Sequence, residues 1–357
     1  NTTGCRNVAL GRAALRYNTT GKWNSAIGYT ALFCNTTGQQ NTASGAYALY
    51  GNTTANINTA FGEASMKCNT TGACNVAVGG SALYCNTTAS RNTAIGMNTL
   101  FANTTGSDLV GVGFKALCKN TTGGLNTSSG AYSMLNNTTG GCNTAYGYGS
   151  LHDNTTGGNN AAVGACAAFN NTTGINNVAV GVKALFQNTT ATQNTGVGMF
   201  SLQNTSTGGN NTGLGYGTLY SNSTGTNNIA LGACSLYANT SGAGNTAVGY
   251  LSMCHNTCGN NNTAVGLYAL RANTTAHANV AVGREALRQA TTGGQNTAVG
   301  MQAGYNMTTG YQNVALGETA LYNNTTGQRN TASGYRALFA NTTGSGSVAL
   351  GACALCA

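Results

Sequence analysis

The chain has 357 residues, of which only 5% are charged, with fourteen Lys and Arg against five Asp and Glu. Proline is absent and the 53 glycines recur at fixed intervals, which excludes a flexible linker; no three-residue period marks a collagen. The bases form no dense run, so nucleic-acid binding is not expected, and no stretch is apolar enough to span a membrane.

Steps of seventeen from Asn1 divide the chain into twenty-one units with no remainder. A typical unit, residues 69–85, reads N-T-T-G-A-C-N-V-A-V-G-G-S-A-L-Y-C. Numbering the unit 1 to 17, position 11 is Gly throughout, and position 7 is Asn except at Leu109 and Ser347. Position 9 is Ala, Gly or Ser, position 14 is Ala, Ser or Thr, and position 15 is Leu or Met except at Ala168 and Gly304. Positions 5, 6, 12, 13 and 17 vary freely.

Each unit predicts the same elements in the same order. Position 4, Gly or Ala, is a corner. Positions 7 to 11 carry β-branched residues in alternation and predict a short strand, with 8 and 10 pointing inward. Gly at 11 predicts a bend with positive φ, or one too crowded for a Cβ. Positions 12 to 16 predict a single helical turn or a second strand, with Leu at 15 closing the core. Asn at 7 predicts a hydrogen-bonded ladder between units. Position 16 is aromatic in eleven units, including Phe33, Tyr50 and Tyr322, and predicts an outward stripe or packing over its own corner. The fold expected is all-β: a β-solenoid of twenty-one coils, one continuous array over residues 1–357 and a segment of a longer one. At about 4.8 Å per coil it predicts a rod on the order of 100 Å.

The N-x-S/T pattern is the acceptor for N-glycosylation. It places candidate sites at Asn1, Asn18, Asn35, Asn52, Asn69, Asn86, Asn103, Asn120, Asn137, Asn154, Asn171, Asn188, Asn222, Asn239, Asn273, Asn324 and Asn341. Two units that lack the opening Asn place one a residue early, at Asn204 and Asn306, which reads as a sugar site tolerating a shift. The competing reading is that Asn, Thr and Gly are ordinary corner residues. Among thirteen cysteines, Cys68 and Cys85 share position 17 of neighbouring units, and Cys254 and Cys258 lie close in sequence; both pairs are disulfide candidates. Sequons and cysteines together point to an oxidising compartment. His152, His255 and His277 fall at unrelated positions, and no catalytic or metal-binding signature is present; neither enzyme, cofactor nor metal site is expected.

The N-[TV]-A-[VIL]-G-x-x-[AS]-L core, as in residues 75–83, 177–185 and 262–270, resembles two related groups. One is the NTAVGxxAL repeat fibres of phages and large viruses; the other is the β-roll head repeats of trimeric autotransporter adhesins. The resemblance implies an extracellular, virion-surface or cell-surface fibre, with a trimer as one assembly. The reading is therefore a non-enzymatic structural protein, the backbone of an N-glycosylated extracellular filament, whose partners are further copies of itself, end to end or side by side. An adhesin or viral fibre binding a surface ligand is the alternative. A third is an ice-binding solenoid using stacked Thr at positions 2 and 3.

Overall fold

A computed structural model describes residues 1–357. They form two units, Asn1–Asn177 and Val178–Ala357. Each is a β-solenoid with one three-residue strand per coil, always at positions 8 to 10. The first unit runs from β1 (Val8–Leu10) to β10 (Ala161–Val163) and the second from β11 (Val178–Val180) to β21 (Val348–Leu350). Within each unit neighbouring strands pair in parallel with an offset of seventeen residues, as in Val76↔Thr93, Ala77↔Ala94 and Val78↔Ile95. Positions 12 to 16 are neither helix nor strand. They form turns in which 13 and 15 take left-handed backbone angles, as at Ser81 and Leu83.

The strand faces the opposite way from that expected. Position 9 is inside: Ala26, Ala60, Ala77 and Ala94 are fully buried. Positions 8 and 10 point outward. The coil is narrow, and Leu at 15 fills the space across from the strand. Only Ala, Gly or Ser fits between that Leu and the strand backbone, so position 9 must be small and positions 8 and 10 are left outside. Leu32, Leu49, Leu83 and Leu100 are each fully buried, worth about 2–3 kcal/mol apiece.

Two asparagine ladders complete the interior. The expected one runs up position 7. Asn41 donates from Nδ2 to Asn24 Oδ1 (3.2 Å) and to the Ala55 carbonyl (2.8 Å), and its backbone N–H donates to the same Asn24 Oδ1 (3.0 Å). The second runs up position 1. Asn35 Nδ2 donates to Asn18 Oδ1 (2.8 Å) and to the Gly38 carbonyl (3.0 Å), and Asn52 repeats the pattern on Asn35. Each ladder satisfies turn carbonyls that no strand partner reaches, as a buried backbone requires. Thr at position 2 adds a hydroxyl bond to the next coil, as from Thr36 Oγ1 to the Thr53 carbonyl (3.1 Å).

The exceptions obey the same packing. Gly304 leaves the Leu slot empty, and a Cβ there would lie 3.4 Å from Met307 Cε. Met307, buried in the Asn slot of the next coil, supplies the missing apolar volume. Thr205 takes that slot in its own coil, and its Oγ1 has no partner. Asn222 Nδ2 consequently reaches only the Gly225 carbonyl. Thr205→Asn should restore the bond from Asn222 and add one to the Gly208 carbonyl. A gain of about 1 kcal/mol is expected, read as a higher unfolding midpoint.

Candidate interaction face

Because position 9 faces in, positions 8 and 10 form two parallel outward columns on the sheet of each unit. Position 8 is Val, Ile or Thr except at Ser25 and Ala161; position 10 is apolar or aromatic except at Ser44, Ser129 and Ser333. Phe61 is 60% exposed and Leu214 is 48% exposed, and Ile27, Ile95, Tyr146 and Val163 also stand in solvent. Position 12 extends the surface with exposed Tyr29, Met97, Tyr148, Tyr216 and Tyr250. No coil places a charged residue at position 8 or 10. Apolar residues at position 10 thus alternate with the many Thr of position 8, and an exposed, uncharged face of this kind is a candidate interaction surface.

The charges sit at positions 5, 6, 12, 13, 16 and 17, so the position 12 column also carries Arg12, Glu63, Arg284 and Glu318. Several lie over aromatic rings: Arg336 over Phe339 (4.3 Å), Lys67 over Tyr47 (5.0 Å) and Arg271 over Tyr268 (5.4 Å). The position 16 rings stack on their own copies, with centroids 5.1 Å apart for Phe33–Tyr50, Tyr84–Phe101 and Tyr305–Tyr322. Their faces are thus covered from within the chain, so this stripe stabilises neighbouring coils instead of offering open rings to a sugar.

The sequon asparagines lie inside. Asn18, Asn35, Asn52, Asn69, Asn86, Asn103, Asn120, Asn137, Asn154, Asn171, Asn188, Asn222, Asn239, Asn273 and Asn324 are all buried. In Asn35, Asn69 and Asn137 both Nδ2 hydrogens are engaged by the ladder. A sugar on that nitrogen would remove a ladder bond and have no room beside it. Position 1 therefore forms an internal ladder in the folded chain. Asn1 is exposed and Asn341 half-buried. Asn204 and Asn306 are not shifted equivalents of position 1. They occupy position 17, half-buried at the surface, while Thr205 and Met307 hold the inner slot. Site-resolved mass spectrometry of chain secreted from a glycosylating host should find sugar at accessible acceptors such as Asn1, Asn204, Asn306 and Asn341, with Asn69, Asn86 and Asn120 bare.

The cysteines are free thiols. Cys68 is exposed and Cys85 half-buried, one coil apart in the position 17 column. Cys254 is buried and points its Sγ toward the Arg271 carbonyl (3.9 Å), while Cys258 is exposed at position 3. Burial pushes the Cys254 thiol up against the pull of nearby Arg271, and it pushes up Cys118 and Cys85 as well, with Cys68 adding to the last. Raised thiols are weak nucleophiles at neutral pH. His152 stacks on Phe169 and contacts Asp153 (2.7 Å); His255 and His277 stand in other coils. The threonine array expected at positions 2 and 3 is reduced to one open column, since the hydroxyls at 2 are engaged between coils.

Sequence reading missed the outward face, although a signal was present. Position 10 accepts Ser, Val, Leu, Phe and Tyr, a range of volumes that a narrow interior does not tolerate, while 9 and 14 accept only small residues. Comparison with known protein families and with curated proteins finds no match.

Proposed function

We propose that the chain is a non-enzymatic structural protein that builds a fibre by lateral association with further copies of itself through the columns at positions 8 and 10. The carrying observation is the uncharged, solvent-facing sheet surface, with apolar or aromatic residues at position 10 in all coils but those of Ser44, Ser129 and Ser333. A second copy suits that surface because its columns repeat at the same interval, about 4.8 Å per coil, so contacts made at one coil recur at the next. An association that is weak per coil becomes strong by repetition. The interior supports the same reading: Asn side chains hydrogen-bond coil to coil and Leu and Ala pack between them, a uniform scaffold repeated along each unit. An extracellular or virion-surface setting belongs to this proposal and rests on the repeat resemblance and the cysteine content.

The test is a charge placed on the face. Val78→Lys, Ile95→Lys and Val112→Lys together put three lysines in one outward column without touching the interior. Sedimentation should show large species for the parent chain and at least about a tenfold weaker association for the variant, at unchanged circular dichroism. Equal association of both chains would remove the face from the proposal.

A further inference from the structure

Within one coil, positions 13 and 16 close a turn. The N–H of 16 donates to the carbonyl of 13 from Tyr50 to Tyr47 (3.2 Å), from Cys118 to Lys115 (3.3 Å) and from Arg271 to Tyr268 (3.3 Å). The two side chains of that turn also meet, whatever their chemistry. Glu285 and Arg288 form an ion pair at 3.1 Å. Arg336 lies 4.3 Å from the centre of the Phe339 ring, Arg271 5.4 Å from that of Tyr268 and Lys183 5.5 Å from that of Phe186. The rings of Tyr47 and Tyr50 have centres 6.1 Å apart. Ion pairing, cation–ring contact and ring packing all occur at this pair of positions. The backbone of the turn, not any one side chain, therefore brings 13 and 16 together.

A single coil places cysteine at both positions, Cys353 and Cys356. Its turn follows the others: φ is 53° at Cys353 and 50° at Leu355, against 58° at Tyr268 and 50° at Leu270. Ala354 donates to the Gly351 carbonyl (3.3 Å) as Ala269 does to Gly266 (3.3 Å). A four-residue turn holds the Cα atoms of its ends within about 7 Å, and a disulfide spans about 4.4–6.8 Å between Cα atoms. Cys353 is exposed and Cys356 half-buried. Lys183 and Arg336 are exposed at the position of Cys353, so a small molecule can reach that position along the array. Cys254 and Cys258 share no such turn, and the Cys254 Sγ faces the Arg271 carbonyl.

We propose that Cys353 and Cys356 form a thiol–disulfide exchange site whose substrates are low-molecular-weight disulfides and thiols. The exposed Cys353 thiolate attacks one sulfur of a disulfide RSSR and expels RS⁻. The Cys356 thiolate then attacks the Cys353 sulfur of the mixed disulfide and expels the second RS⁻. Two protein thiols become one disulfide, RSSR is reduced to two RSH, and the two thiol protons end on the released thiols. The proposal does not rest on the fibre reading. The test adds oxidised glutathione to the full reduced chain at mildly alkaline pH, blocks remaining thiols with an alkylating reagent and maps peptides without reduction. The peptide holding both cysteines is expected to lose two hydrogens and to take up no alkyl group. Cys356→Ser removes the second attack and should trap glutathione on Cys353; Cys356→Ala serves if the serine variant misfolds. Cys353→Ser should form no cross-link at Cys356. Alkylation of both cysteines in the parent, glutathione retained on Cys353 of the parent, or a cross-link from either cysteine to a different one would each overturn the proposal. Protection of both thiols by added zinc alone would assign the pair to a metal and overturn it as well.

Discussion

Gly266→Val is expected to unfold its coil and lower stability by more than about 3 kcal/mol. Two costs add. The backbone at Gly266 has φ +137°, a conformation that side-chain-bearing residues rarely adopt. A Cβ there would also lie 2.5 Å from the Gly283 carbonyl oxygen and 2.7 Å from its carbon, which are backbone atoms of the next coil. They cannot retreat without breaking the ladder. Gly249 stands in the same relation to Gly266, so the constraint passes from coil to coil within the unit. Gly80 is the control. It sits one residue past the corner, and a Cβ there would meet only Met97 Cγ, at 3.9 Å. Gly80→Ala should shift the midpoint by less than about 0.5 kcal/mol. Denaturant unfolding, with limited proteolysis to locate the opened coil, separates the two outcomes. Equal midpoints for Gly266→Val and Gly80→Ala would refute the role of position 11.

Removing one rung of the position 7 ladder should cost about 2–4 kcal/mol. Asn75 is fully buried. Its Nδ2 donates to Asn58 Oδ1 (3.2 Å) and to the Ala89 carbonyl (2.9 Å), and its Oδ1 accepts from the Asn92 N–H (2.9 Å). Asn75→Ala leaves the Asn92 N–H buried without that acceptor and opens a small cavity. The chain already contains one such break. Leu109 takes the N–H bond from below, to Asn92 Oδ1 (3.0 Å), but offers no oxygen to Asn126 above. That coil is still formed, so one missing rung is tolerated. Two adjacent breaks should not be. Asn92→Ala, next to Leu109, is expected to lose more stability than Asn75→Ala, and hydrogen exchange should show the amides around Leu109 opening first. Identical losses for the two variants would mean that the rungs act independently.

Much of this architecture is legible in the residues. The seventeen-residue period fixes the solenoid, because a coil that short holds one strand and its corners but no helix of normal length. Gly at 11 announced either a positive φ or crowding, and at Gly266 both hold. The Asn at 7 announced a ladder. What was misread was the direction of the strand, whose one signal was the wide range of volumes at position 10. Alternation shows that 8 and 10 share a face, not which face is inside, and a three-residue strand carries too few positions to decide. Position 1 is ambiguous for a related reason. Asn-Thr-Thr is at once a glycan acceptor pattern and a turn whose amide serves as a buried rung, and only the fold separates them. The left-handed backbone at Leu83 and its equivalents had no sequence signal, since Leu does not favour it.

The most direct test is cryo-electron microscopy of the assembled parent chain at a resolution that shows side chains. Neighbouring copies are predicted to meet through the columns at positions 8 and 10, with Phe61, Val78 and Ile95 buried between chains and Asn69 and Asn75 inside each one. Copies dispersed singly at high concentration, or joined through another side of the coil with Phe61, Val78 and Ile95 in solvent, would contradict it.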